Sequence, residues 1–431
     1  MPEPHEPLPA RLVLADGRVF PGRSFGAQRE VVAEVVFNTS HAGYQEVLTD
    51  PSYRGQAVTF TVPILGIYGV ADDQDDQSPP GKDRPQKGGQ GAQASAIICR
   101  EASRRASSYR SHATLHEHLV AVGVPGIEGV DTRTLTKHLR DHGAQNGMVT
   151  TSAEPEATLV ARVRAAPSMD GLDLAKVVTT AAPYRWEEGF KAQNDPGRLA
   201  LPRSTLASVA GSPVIVPGSG GRVVVLDFGV KHDILRNLVA RGLDVTVVPA
   251  TTTAEEILER DPDGVLLSNG PDDPAAVGYG IETTKRLMAA CAGGGPPVYG
   301  VCLGHQILSL AAGAKTFKLK FGHRGANHPV RDEATGRVLI TAQNHGFSVD
   351  PESMKRTALV TSHLSLFDGT VEGLRHRDLP IAAMQFHPEA APGPHEAGFF
   401  FDQFAETIAR HSAASRRATA RHRETPAGRR A

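Results

Sequence analysis

The sequence predicts an α/β fold in which a C-terminal parallel-sheet domain follows a smaller β-rich N-terminal domain. Three observations predict it. Between residues 220 and 409, apolar strand-like runs alternate with helical stretches, the pattern of a parallel sheet with helices on both faces. Residues 11–62 instead carry short β-branched runs separated by polar turns. Pro/Gly/Ser punctuation at Pro202 and from Gly211 to Gly221 separates the two regions.

In chain order, Arg11 to Leu14 turns at Asp16-Gly17 into Val19-Phe20, a hairpin signal. Strands are predicted at Val31 to Phe37, Gln56 to Val62 and Ala96 to Cys99. Helices are predicted at Ser111 to Val122, Leu135 to Arg140 and Glu156 to Arg164. Residues 71–94 hold Asp, Gln, Gly and Pro with almost nothing apolar, the composition of a mobile loop. This gives an N-terminal domain over 1–152, a connecting segment over 153–219, the parallel-sheet domain over 220–409 and a disordered tail over 410–431. Within the sheet domain, strands are expected at Val223 to Asp227, Val245 to Val248, Gly264 to Ser268 and Ile381 to Phe386. Helices are expected at Asp233 to Arg241 and Ala254 to Glu259.

Composition narrows the function class. Over 431 residues the formal net charge is −1, so no global field favours nucleic acid. Three cysteines, Cys99, Cys291 and Cys302, cannot make a disulfide framework and suit a reducing compartment. The N-terminus has neither a charged n-region nor an apolar h-region, and no apolar run approaches the roughly 18 residues of a membrane span. A cytoplasmic protein is expected. His112 and His116, at i and i+4, lack a third ligand and read as a solvated helix face, so no metal is expected.

The chemistry concentrates in two stretches. Val298 to Gln306 runs from an apolar strand through Gly300-Val301-Cys302-Leu303-Gly304 into a helical pattern. This is the strand-to-helix nucleophile elbow in cysteine form. Small neighbours make room for the sharp turn, the helix N-terminus favours a thiolate, and the Leu303 N–H points where an oxyanion would form. Taken alone, the stretch also fits a buried cysteine in an ordinary turn. Near the C-terminus, Gln385-Phe386-His387-Pro388-Glu389 ends a buried strand. There i and i+2 project to one side, so His387 and Glu389 can act as base and orienter.

Together, Gly-Val-Cys-Leu-Gly-His-Gln and Gln-Phe-His-Pro-Glu resemble the signature of triad-type, class I glutamine amidotransferases. Upstream, Val-Phe-Asn-Thr-Ser, Gly-Tyr-Gln-Glu and Leu-Thr-Asp-Pro-Ser-Tyr resemble the N-terminal domain of carbamoyl-phosphate synthase small subunits. The resemblance covers residues 10–409. It implies that the sheet domain is a class I glutaminase with a catalytic triad of Cys302, His387 and Glu389. Gly270 and Leu303 would supply oxyanion N–H groups. Ser52, Gly270, Asp272, Leu303, Gln306, Asn344, Gly346 and Phe347 would bind glutamine. No P-loop sequence occurs, so this chain is expected to carry no cofactor. By resemblance, ATP, Mg and bicarbonate belong to a separate large subunit, which receives ammonia for carbamoyl phosphate synthesis in the arginine and pyrimidine routes. A degenerate glutaminase serving assembly or regulation, or another class I amidotransferase, are the alternative readings.

One departure from the family pattern is testable. Asn269-Gly270-Pro271 continues with Asp272 where relatives carry glycine. If Asp272 faces the substrate α-carboxylate, like charges ~5 Å apart at an effective dielectric near 20 cost about 3 kcal/mol. Asp272→Gly is therefore expected to lower the KM for glutamine at nearly constant kcat. An unchanged or higher KM in steady-state kinetics would contradict this.

Overall fold

The computed structural model describes residues 7–71, 91–190, 220–271, 273–391 and 393–424, with side chains to Ser412. Asp272, and the predicted mobile loop apart from its two ends, lie outside the described residues.

Seven strands close into a barrel: β1 (Pro9–Leu14), β2 (Val19–Gly26), β3 (Val31–Asn38), β4 (Gln56–Phe60), β5 (Ala96–Ile98), β6 (Pro125–Glu128) and β7 (Gln145–Thr150). Their order is β1-β2-β6-β5-β4-β3-β7, and antiparallel pairing of β7 with β1 shuts the ring. Alternation along β1 explains its packing. Leu12 and Leu14 enter the barrel core, while Val13 points outward beneath Leu159 and Val163 of helix Glu156–Ala165. The interior is crowded: a Cβ on Gly147 would sit 2.5 Å from Val35. The helix predicted from Ser111 begins at Leu115, because Thr114 and Glu117 form a capping box.

The ends of the predicted mobile loop are packed. Ala71 and Gly91 to Ala94 are buried, and the Gln93 N–H donates to the Leu48 carbonyl at 2.8 Å. These residues satisfy backbone groups of the core, which composition alone does not disclose.

The second sheet has ten strands: β8 (Tyr184–Trp186), β9 (Arg222–Asp227), β10 (Asp244–Pro249), β11 (Gly264–Leu267), β12 (Val298–Val301), β13 (Thr316–Asp332), β14 (Val338–Val349), β15 (Leu359–Ser365), β16 (Val371–His376) and β17 (Ile381–Met384). They run in the order β14-β13-β15-β16-β17-β12-β11-β9-β10-β8. Only β10, β9, β11, β12 and β17 are mutually parallel; β13 to β16 extend the sheet as antiparallel strands. β9 is apolar from Val223 to Leu226 because helices cover both of its faces. Val224 and Leu226 face one core and Val223 and Val225 the other. The segment predicted as a connector contributes to both bodies: its helix packs on the barrel, and Tyr184–Trp186 pairs with β10 as an edge strand.

The tail expected to be disordered from residue 410 is helical as far as Glu424, as part of helix Phe399–Glu424, and its remaining residues lie outside the described ones. Phe400, Phe401, Phe404 and Ile408 bury its first turns against the sheet. The Ala- and Arg-rich sequence beyond then needs only propagation from a docked start, which avoids the nucleation cost. Among the described residues Ile408 is the last buried apolar anchor, filling the space above Gly221 and Gly264. Ile408→Ala should lose about 2–5 kcal/mol in denaturant unfolding. Removal of residues 413–431 should leave the midpoint unchanged; a large drop on that truncation would show that the distal helix also docks.

Candidate active site

Ligands on parallel sheets gather at the carboxyl ends of strands, and here β9, β11, β12 and β17 converge on one pocket. β12 delivers Cys302 at φ 53° and ψ −104°, a left-handed backbone that a non-glycine residue holds only under strain. Its neighbours leave no room for side chains. A Cβ on Gly304 would lie 2.2 Å from the Leu267 carbonyl oxygen, and one on Gly300 2.8 Å from the Gly304 backbone. Helix Leu303–Ala311 starts immediately, placing its N-terminal dipole beside the sulfur. The Cys302 N–H is held by the Met384 carbonyl at 2.8 Å, and Sγ lies 3.5 Å from the Asn344 carbonyl oxygen.

Just beyond β17, the His387 N–H donates to the Ala342 carbonyl at 2.9 Å, which fixes the ring's origin. Its Nδ1 lies 2.6 Å from Glu389 Oε1. A carboxylate only accepts, so Nδ1 carries the proton. Besides Glu389, Cys302 acts on the ring, by its charge and as a hydrogen-bonding side chain. Burial alone would lower the His387 pKa, but Glu389 and Cys302 outweigh it and raise it well above the ordinary value.

Glu389 has a second partner that the sequence did not point to. Lys231, just after β9, brings Nζ to 3.0 Å from Glu389 Oε1 and donates to the Ala391 carbonyl at 2.6 Å. Both side chains are buried. Burial would raise the Glu389 pKa, but Lys231 and His387 hold it at about 2. The carboxylate is thus a fixed negative charge behind the imidazole.

The opposite wall is backbone. Gly270 follows β11 so closely that a Cβ there would lie 2.2 Å from the Phe228 carbonyl oxygen. Among the described residues, neither its N–H nor that of Leu303 has an acceptor. Gly270 and Cys302 share the pocket with Ser52, Gln306, Asn344, Gly346 and Phe347. Several of these side chains also brace the walls. Ser52 Oγ accepts from Asn269 at 3.0 Å, Asn344 donates to Asp50 at 3.0 Å, and Gln306 donates to the Phe347 carbonyl at 2.8 Å.

Matches to known families accord with this geometry. The family model described as carbamoyl-phosphate synthase small chain, CPSase domain, matches residues 12–149, and that described as glutamine amidotransferase class-I matches 224–407. The carbamoyl phosphate synthase small chain of Syntrophotalea carbinolica is 46% identical over 93% of this chain and 98% of its own length. Those of Polynucleobacter necessarius and Thermosynechococcus vestitus are 48% and 49% identical, over 93% and 92% of this chain and 96% of each relative. This chain belongs to the carbamoyl phosphate synthase small chain family. It is a glutamine amidotransferase subunit.

In this small chain the pocket also holds charged residues that the sequence reading missed. Glu34, Lys318 and Arg324 line it, with Lys318 Nζ 2.8 Å from Glu34. Glu34 had a usable signal, a carboxylate in the middle of the apolar strand Val31–Asn38. Lys231 had none, since Glu389 and Ala391 come from a distant part of the chain.

The Lys231–Glu389 pair sets a pH-dependent expectation. Lys231→Met leaves Glu389 a buried charge with one partner fewer and should destabilise the fold at pH 7 by about 3–5 kcal/mol. A depressed carboxylate stabilises above its unfolded pKa, and that contribution is lost on protonation. The deficit should therefore narrow as pH falls from 4.5 through about 2, the ordinary and folded values for Glu389. Denaturant unfolding at several pH values measures it, and a pH-independent deficit would mean that Lys231 acts through packing alone.

Proposed function

We propose that this chain hydrolyses glutamine to glutamate and ammonia through Cys302, His387 and Glu389, and that a separate large chain uses the ammonia to make carbamoyl phosphate. One observation carries this reading: the strained Cys302 elbow faces the His387–Glu389 pair beside two backbone N–H groups without acceptors. Cys302 gives its proton to His387 Nε2, and the thiolate attacks the γ-carboxamide carbon. The Gly270 and Leu303 N–H groups stabilise the oxyanion. His387, now an imidazolium held by Glu389, protonates the departing ammonia as the thioester forms. Water then loses a proton to His387 and attacks the thioester; collapse of the second oxyanion releases glutamate and restores the thiol.

Glu34 and Arg324 place charges of both signs along the pocket, which suits the α-amino and α-carboxylate groups of an amino acid. In this reading ATP, Mg and bicarbonate are handled by the partner, and the product serves arginine and pyrimidine biosynthesis.

The test separates nitrogen sources. In the complex with the large chain, Cys302→Ser should lower glutamine-dependent carbamoyl phosphate synthesis by at least about 1000-fold. Synthesis from free ammonia should stay near the wild-type rate, because the thiol serves only ammonia release. Substantial glutamine-driven synthesis in the variant would overturn the assignment.

A further inference from the structure

Beside the pocket, which His345 itself lines, the antiparallel part of the sheet buries a group of side chains to which the proposed hydrolysis gives no role. His323 on β13 is the register partner of His345 on β14, and Glu372 on β16 completes the group. All three are buried, and one ligand-type atom from each lies within 4.8 Å of the other two. His323 Nδ1 is 3.2 Å from Glu372 Oε1, and His345 Nε2 is 3.6 Å from the same oxygen.

The hydrogen bonds around the cluster fix which atoms face inward. His345 Nδ1 lies 2.8 Å from the Phe347 carbonyl oxygen, which can only accept, so Nδ1 carries a proton. In the neutral ring, Nε2 then presents a lone pair, and among the described residues it has no hydrogen-bond partner. It faces a carboxylate oxygen, a second acceptor, among buried side chains. On His323, Nε2 lies 2.8 Å from Asp368 Oδ2 and donates to it, which leaves Nδ1 facing Glu372. The other Glu372 oxygen accepts from the Gln343 amide at 2.9 Å.

Two buried acceptors face to face call for a cation between them. A shared proton would draw His345 Nε2 and Glu372 to hydrogen-bond distance, about 2.7–2.9 Å for such a charged pair. A tetrahedral zinc ion with ligand bonds near 2.0–2.1 Å would instead hold its ligand atoms roughly 3.4 Å apart. The 3.6 Å between His345 Nε2 and Glu372 Oε1 lies beyond a hydrogen bond and close to that spacing, while the 3.2 Å between His323 Nδ1 and the same oxygen, which Thr370 Oγ1 also reaches at 3.4 Å, is within reach of either. The outer contacts fit it as well: metal-bound imidazoles commonly donate their other N–H to a carboxylate or a backbone carbonyl, as His323 does to Asp368 and His345 to Phe347.

We propose that His323 Nδ1, His345 Nε2 and Glu372 Oε1 form a structural site for a zinc-type divalent transition metal. Its chemistry is that of borderline ligands, two imidazoles and a carboxylate. The ion ties β13, β14 and β16 together directly behind Asn344, Gly346 and Phe347, and so stiffens a wall of the pocket. Asp368, partly exposed, marks the side from which an ion enters. The assignment does not depend on the glutamine reading, and its test reads metal rather than turnover.

The full chain, stripped with a chelator and dialysed, is titrated with zinc alone and with cobalt alone. One equivalent per chain is expected, with the intense visible absorption of four-coordinate cobalt. Asp368→Asn keeps a half-exposed surface position intact and should weaken zinc affinity about 10- to 100-fold. Glu372→Gln and His323→Gln should abolish binding. Cys302→Ser should leave binding unchanged, and zinc-edge X-ray absorption should show nitrogen and oxygen ligands without a sulfur shell near 2.3 Å. Absence of saturable binding by both ions, or undiminished affinity in Asp368→Asn and Glu372→Gln, would overturn the proposal. So would loss of binding in Cys302→Ser, which would place the ion at the thiol.

Discussion

A chain of buried charge, Lys231 to Glu389 to His387, sets the terms for the whole site. One carboxylate oxygen takes both the Lys231 ammonium and the His387 Nδ1–H, at 3.0 and 2.6 Å, with none of the three side chains open to water. Desolvated charges are tolerated only when each is met at close range, so the three residues cannot drift independently. Lys231 leaves the end of β9 and His387 the end of β17, two strands apart in the sheet. The parallel arrangement of β9, β11, β12 and β17 is what brings those ends to one level, beside the elbow that carries Cys302.

The same economy of space governs the backbone. At Gly270 and Gly304 any side chain would collide with a carbonyl oxygen at 2.2 Å. Where main chain approaches main chain this closely, the Gly270 and Leu303 N–H groups are left without an acceptor among the described residues. The barrel closes the other side. Asp50 and Ser52 accept from Asn344 and Asn269, and Lys318 on β13 reaches Glu34 on β3. The pocket therefore belongs to both bodies, and the N-terminal barrel is part of the site as well as a neighbour of it.

Legibility followed the range of the interactions. Elements set by local periodicity were readable: the β1–β2 hairpin, β9, the helix at Glu156–Ala165 and the strand ending before His387 all lie where alternation or helical spacing placed them. The antiparallel extension β13 to β16 was not readable, because its strands mix buried histidines, glycines and exposed polar residues and show no clean alternation. The helical tail was missed for a related reason. Its distal half has helix-forming residues but no apolar stripe, and it is helical because Phe400, Phe404 and Ile408 dock the first turns.

By itself the sequence placed Cys302 on a strained elbow and set His387 beside Glu389. A strained strand-to-helix turn demands glycines within two residues, and an i, i+2 pair on an extended segment shares one side; both are local rules. Only the tertiary structure decided that Lys231 backs Glu389, that Ser52 and Asp50 brace the far wall, and that His323, His345 and Glu372 meet. Those contacts join residues as much as 217 and 294 positions apart. Their existence depends on which buried charges and polar groups the packed sheets leave facing one another, and no local pattern encodes that.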